Sequence, residues 1–291
     1  MVEDSQIKAQ VSPFAIREGE IKTFDGKDGY VSMNQIVHKI NIGHINEIHF
    51  AILELVNEFE FITSRQLYQM LEIKGFDPKS QDKLNNKLDQ LVKSKILTRY
   101  YFTSDEGKGI YRIYCLEKMG KYLLNSKEIE CKWQPSDNTK PVPMIKKRLA
   151  GNQTLIAYLR KVKAFDSYIV KPAITAKVAG KLFKATGGAV KLTKNKKSIQ
   201  FLFEVVRREQ DWQKKIVDKM KLYKDFYENF VPGDSGFSSM PQLILICEDE
   251  KHMAETFKEI VTNQVEIPQI KLYFTTDLRQ NEETLENTLV E

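Results

Sequence analysis

One carboxylate interrupts an otherwise apolar run in Phe201-Leu-Phe-Glu-Val-Val-Arg-Arg-Glu. A carboxylate inside a buried strand is costly unless it is paired or holds a metal ion. Glu204 is therefore the first residue to ask chemistry of. Metal-assisted phosphodiester cleavage needs two or more carboxylates around Mg²⁺ and a Lys or Gln that orients the attacking water. Here Val206, not a lysine, stands two residues after Glu204, and the preceding segment Gly187 to Gln200 holds no acid. Asp166 lies 38 residues upstream of Glu204, and Glu209 follows it. An active nuclease would have to recruit Asp166, Glu204 and Glu209. The simpler expectation is that Glu204 pairs with Arg207, Arg208 or a lysine of the basic block.

That block is the second feature with chemical content. Between Asn138 and Phe203 the chain carries fifteen Lys and Arg residues and one acid, a local charge of +14 against +6 for the whole. A polyanion is the natural partner of such a segment, because each neutralised phosphate releases a condensed counterion. A solvated lysine-rich face without a partner is the plain alternative. Lys146, Lys147, Arg148, Arg160, Lys161 and Lys163 fall on one expected helix, and Lys191, Lys194, Lys196 and Lys197 on an expected hairpin. If the two face the same way, one continuous positive surface would follow a duplex for more than a turn.

The elements that must position these groups can be read from periodicity. Residues 1–44 contain Gly26, Gly29 and Gly43 and read as an arm or a small added strand. Ile45, Ile48, Ile52, Leu55 and Val56 share a helical face. Thr63 or Ser64 starts a second helix that stops at Gly75, and Pro78 and Ser80 open a third with Leu84, Leu88, Leu91 and Val92 inward. The period then falls to two over Ile96 to Thr103 and Ile110 to Leu116, and a helix follows to Asn125. Three helices, a hairpin and a closing helix are the layout of a winged helix-turn-helix, which residues 45–131 resemble. In that arrangement the third helix enters the major groove. Lys79, Gln81, Asn85, Asn86, Gln90 and Lys93 would then face DNA, with Lys108 and Arg112 on the wing; Asn and Gln suit adenine edges and Lys suits phosphate.

Residues 132–143 hold Pro135, Pro141 and Pro143 and no apolar period, and read as a linker. Over 144–276 the pattern is helix (Pro143 to Lys163), strands (Tyr168 to Thr175, Ala189 to Thr193, Ser198 to Val206), a long helix (Asp211 to Phe230), the apolar strand Leu243 to Cys247, a helix and a last strand. This order predicts an α/β layer with a partly parallel sheet. Residues 277–291 carry five acids and one Arg and read as a frayed acidic tail.

The acid-bearing strand, the helix ending Lys221-Leu-Tyr-Lys-Asp-Phe-Tyr227 and the later strand-helix-strand unit resemble the restriction-endonuclease-like (PD-(D/E)XK) core. With the preceding helices, the chain is similar to the replication-relaxation family of plasmids and integrative elements. The resemblance implies an α/β and α+β chain, a winged helix followed by a degenerate nuclease-like α/β domain. It also implies a non-catalytic DNA-binding role in plasmid or conjugative-element replication, transfer or their regulation. Double-stranded DNA is the expected partner; protein partners in a replication or transfer complex, and a homodimer, stay open. A Mg²⁺-dependent nuclease or nickase and a protein-interaction scaffold are the alternatives.

Other chemistries find little footing. The segment GKLFKATGG lacks the order of a phosphate loop, and no Ser or Cys has a nucleophile context. Cys115, Cys131 and Cys247 form no CxxC or Cys/His cluster, so neither disulfides, a metal site nor a cofactor is expected. No apolar run approaches the ~20 residues of a bilayer span, and Met1 to Gln10 does not read as a signal peptide. A cytoplasmic protein is expected.

Overall fold

In the computed structural model the described residues are 12–26, 29–104, 107–162, 165–194, 197–281 and 289. They form a mixed α/β structure with eight α-helices and three sheets. No helix among them is long and apolar enough to cross a membrane.

In chain order, strand β1 (Ile21–Phe24) and helix α1 (Met33–Asn41) occupy the N-terminal arm. Helix α2 (Glu47–Phe59), strand β2 (Ile62–Thr63), helices α3 (Ser64–Ile73) and α4 (Gln81–Lys93), strands β3 (Leu97–Ser104) and β4 (Gly107–Leu116) and helix α5 (Lys118–Ser126) follow. The helix starts are where cap chemistry puts them: Thr63 and Ser80 each accept a backbone N–H three residues on, and Gly75 supplies the left-handed turn after α3. Leu84, Leu88, Leu91 and Val92 of α4 are buried. The antiparallel sheet runs β1-β3-β4-β2, so the arm is built in as an edge strand on β3.

Residues 132–143 are not a loose connector. Trp133 donates from Nε1 to the Asn138 side chain, and Asn138 donates to the Leu116 carbonyl. Helix α6 (Val142–Lys161) comes next, and its buried residues fall on every side: Ile145, Leu149, Gly151, Asn152, Ile156 and Tyr158 among them. A helix with buried residues on every side is an interior helix, not a surface one. One hydrophobic cluster runs from Phe59, Leu67 and Ile113 through Leu149 and Ile156 to Phe203 and Ile246, so α6 is core to both halves of the chain.

Strand β5 (Ser167–Ile169) is short. The strand expected over Tyr168 to Thr175 breaks at Pro172, and β6 (Ala173–Ala176) pairs with β7 (Lys181–Lys184) in a separate ribbon. Strands β8 (Gly188–Lys194) and β9 (Lys197–Val205), helix α7 (Trp212–Glu228), strand β10 (Gln242–Cys247), helix α8 (Glu250–Thr262) and strand β11 (Leu272–Thr276) complete the chain. The main sheet is ordered β11-β10-β9-β8-β5, parallel from β9 to β11 and antiparallel from β9 to β5. Alternate residues serve its two faces. Phe203, Val205, Ile244 and Ile246 join the α6 side, while Leu202, Leu243, Leu245 and Cys247 join Met220, Tyr223 and Ile260 on the other. Burial on both faces explains why Leu243 to Cys247 is continuously apolar.

The α6–sheet contact is backbone on backbone at Gly151. A Cβ there would lie 2.5 Å from the Thr186 oxygen and 2.7 Å from Gly187 Cα. Gly151→Ala is expected to cost about 1–3 kcal/mol by forcing α6 off the Thr186 turn; urea unfolding measures it, and an unchanged midpoint would mean that the turn yields freely.

The acidic tail is shorter than the sequence suggests. Asp277 is buried, and Arg279 pairs with Glu250 at 2.7 Å. Residues 282–288, 290 and 291 lie outside the described residues.

Candidate functional site

The carboxyl ends of the parallel strands β9, β10 and β11 converge, the usual place for a site in an open α/β sheet. Charged residues crowd there. Glu204 is the penultimate residue of β9, with Arg207, Arg208 and Glu209 just beyond the strand; Glu248 and Asp249 follow β10; Asp277 follows β11. Beside β9 is a cleft of about 150 Å³ whose walls include Lys147, Thr186, Glu204, Glu209, Trp212, Lys215 and Lys219.

Glu204 points to the α7 side and is 4% exposed. One oxygen accepts from the Thr186 hydroxyl at 2.8 Å. The other accepts from Tyr223 at 2.6 Å and from the Thr186 N–H at 3.3 Å, with the Lys219 ammonium at 3.6 Å. Lys219 and Tyr223 are one helical turn apart on α7, so a single face supplies both. Burial first, and then the Glu204 charge, raises the Tyr223 pKa well above its ordinary value, which keeps the phenol a donor.

The partner of Glu204 is therefore neither Arg207, Arg208 nor a lysine of the basic block. Arg207 is committed to Asp277, and Arg208 to Asp249 at 2.6 Å. The signal available in the sequence was Lys219 and Tyr223, four apart on the inward face of the helix after the acid-bearing strand.

Of the three carboxylates that a nuclease reading requires, two share the cleft. Glu209 is held by Lys147 and lies 3.4 Å from Lys215. Asp166 is elsewhere: its N–H bonds the Lys191 carbonyl and its carboxylate accepts from Thr193, toward the opposite end of β8 from Gly188. Gly188 is the residue of β8 that faces Phe203, next to Glu204. Thr186 stands where a second acid would be needed, and Lys219 puts an ammonium on the remaining carboxylate. No cluster of three His, Cys, Asp or Glu suited to a metal exists among the described residues.

The basic block is also differently arranged from the expected single track. Lys146 is 2% exposed and pairs with Glu20 at 2.5 Å. Lys147 pairs with Glu209, and Arg148 donates to the Val170 and Thr186 carbonyls at 3.1 and 3.2 Å. These three side chains are committed to protein partners and form no continuous outward track for a duplex backbone. Lys140 and Lys171 pair with Glu60, and Lys177 with Asp234 at 2.7 Å. Much of the surplus in the sequence is thus neutralised by acids from other segments. Arg160 is exposed at the end of α6, Lys161 is half-buried there, and Lys191 is half-buried on β8. Lys163 and Lys196 lie outside the described residues, and for Lys108, Lys194 and Lys197 only the backbone is described.

The second candidate surface is the outward side of α4. Asn46, Phe76, Lys79, Lys83, Asn86, Lys87 and Gln90 border an open groove of about 610 Å³. Gln90 is exposed, with its side-chain oxygen 3.3 Å from His49 Nε2. Burial, and then the Lys87 charge, lowers the His49 pKa, which keeps the ring neutral. Lys79 pairs with Asp77 and Lys93 with Asp89, both at 2.5 Å; Arg112 pairs with Asp25 at 2.9 Å. Gln81 donates to Asn85 at 3.2 Å. Lys83 and Lys87, which the sequence reading passed over, form no ion pair with the described residues. Their spacing of four, in step with Asn86 and Gln90, was the available signal.

No family model matches the chain, and no curated protein matches it. Among solved structures, that of the restriction endonuclease FokI is similar over 79% of this chain and 41% of that one, with 10% identity and a TM-score of 0.23. The chain thus spans less than half the length of that enzyme, and a likeness at that score carries no weight for fold or activity.

Proposed function

We propose that this chain is a non-catalytic DNA-binding protein that joins a winged helix to a degenerate restriction-endonuclease-like core and grips duplex DNA with α4. The observation that carries the reading is the α4 groove: Lys83 and Lys87 unpaired among the described residues, with Asn86 and Gln90 on the same edge. Glu47 and Asp77 also border the groove, but neither forms a salt bridge to Lys83 or Lys87, which leaves both ammonium groups available to phosphates, and the two amides suit base edges. The helix order before β3 and the sheet order around β9 support the reading. A place in plasmid or conjugative-element replication or transfer belongs to the same proposal through the sequence resemblance.

The Glu204 site supports the non-catalytic half. Its oxygens are taken by Thr186, Tyr223 and Lys219, which leaves little of the carboxylate for an ion.

Fluorescence anisotropy of a labelled duplex across a salt series tests the DNA half. The expected slope of log K against log salt is about −3 or steeper, and Lys83→Gln/Lys87→Gln should make it shallower by about 2 while weakening binding at least ~10-fold at low salt. Binding by the double variant equal to wild type would overturn the assignment to α4.

A further inference from the structure

A cluster of cations at the end of α2 has no role in the α4 reading. The chain turns at Glu60, the left-handed residue that ends α2, and this one carboxylate meets three cations from distant segments. Lys140, from the turn before α6, and Lys171, from the turn after β5, both reach it. Arg148 of α6 approaches to 3.8 Å. Lys184 of β7 adds its field to both lysines. Asp137 is the other acid at hand, 2.9 Å from Lys140. Glu60 and Asp137, with the Glu204 charge acting on Arg148, are the acids that face these cations. The side chains of Lys140 and Lys171 remain 27% and 30% exposed, so both are reachable from solvent.

We infer that Lys140, Arg148 and Lys171 form an anion site for a phosphate or diphosphate group, with Glu60 as the internal counter-ion that holds the cations together in its absence. Arg148 is anchored by the Val170 and Thr186 carbonyls, which fixes its guanidinium beneath the two lysines' shared carboxylate. The cations also strain one another. Burial first and then the neighbouring positive charges lower Lys171 to about 7 and Lys140 to about 8, while burial lowers Arg148 to about 10. A surplus of this kind is relieved by an anion, which favours the ammonium form of both lysines. The site stands apart from the α4 groove and does not depend on its role.

Isothermal titration of the full chain with pyrophosphate tests the inference. Wild type is expected to bind one pyrophosphate, with affinity at least tenfold lower in Lys171→Gln and in Lys140→Gln and unchanged in Lys181→Gln, an exposed lysine of the same ribbon. Glu60→Gln removes the competing carboxylate and should tighten binding. Absence of pyrophosphate binding by wild type, or equal binding by the Lys140, Lys171 and Lys181 variants, would overturn the site. Lys83→Gln/Lys87→Gln should leave pyrophosphate affinity unchanged, so that the fates of the two sites are read separately. The source of the group follows from competition: displacement of pyrophosphate by a duplex with a 5′-phosphate but not by its 5′-hydroxyl counterpart identifies a nucleic-acid end, and displacement by neither identifies a free phosphate compound.

Discussion

Arg207→Leu is expected to destabilise the protein by about 3–5 kcal/mol, the usual cost of removing one partner of a buried ion pair. The Arg207 side chain is fully buried and that of Asp277 is 2% exposed. Nη2 donates to both Asp277 oxygens, at 2.7 and 2.8 Å, and Nη1 to the Val206 and Ile246 carbonyls at 2.7 and 3.2 Å. Asp277 in turn accepts from Ser12, so this pair ties the N-terminal arm to the ends of β9, β10 and β11. Without Arg207 the carboxylate stays in a dry site that already raises its pKa. A carboxyl whose folded pKa exceeds its unfolded value binds more protons when folded, so the deficit of the variant should shrink as pH falls toward that value. Urea unfolding at several pH values measures both effects. Arg207→Leu/Asp277→Leu should recover part of the loss, since an apolar pair leaves no orphaned charge. A single variant as stable as wild type would show that water reaches the pair.

The arm explains why this network escaped the sequence. Glu20 meets Lys146 across 126 residues, Arg207 meets Asp277 across 70 and Ser12 meets Asp277 across 265, and no local pattern encodes such pairings. What was legible were features set by neighbours along the chain: the α4 face from Leu84 to Val92, the Thr63 cap, the Gly75 stop and the continuous run of β10. Charge segregation was legible as well, but where the charges go was not. Fifteen cations in one segment looked like a surface for a polyanion, whereas Glu20, Glu60, Glu209 and Asp234 return from elsewhere to neutralise several of them. Helix α6 shows the reason. Its Lys146-Lys147-Arg148 triplet reads as solvated, yet the helix is buried on all sides because two halves of the chain pack on it. Strand β7 was missed for a different reason: Pro172 and the turn at Gly180 detach a ribbon from the main sheet, which period-two reading cannot distinguish from a loop.

Glu204→Ala separates a structural carboxylate from a catalytic one. Removing it leaves the Tyr223 hydroxyl buried without its acceptor, strips the Thr186 hydroxyl and N–H of theirs, and leaves Lys219 over the Phe183 and Tyr223 rings with no carboxylate. The expected loss is about 3 kcal/mol or more, since several polar groups lose partners together in a site of low dielectric. Glu204→Gln keeps an acceptor for Tyr223 and should lose about 1–2 kcal/mol, mainly through the Lys219 charge. Thermal unfolding should rank the proteins wild type, Gln, Ala. Duplex binding by both variants, measured well below their unfolding temperatures, should match wild type, because α4 belongs to the other half of the chain. A supercoiled plasmid incubated with Mg²⁺ or Mn²⁺ should stay intact with all three proteins. Nicking by wild type that disappears in Glu204→Gln, a variant that keeps the fold, would reverse the assignment and make this carboxylate a metal ligand.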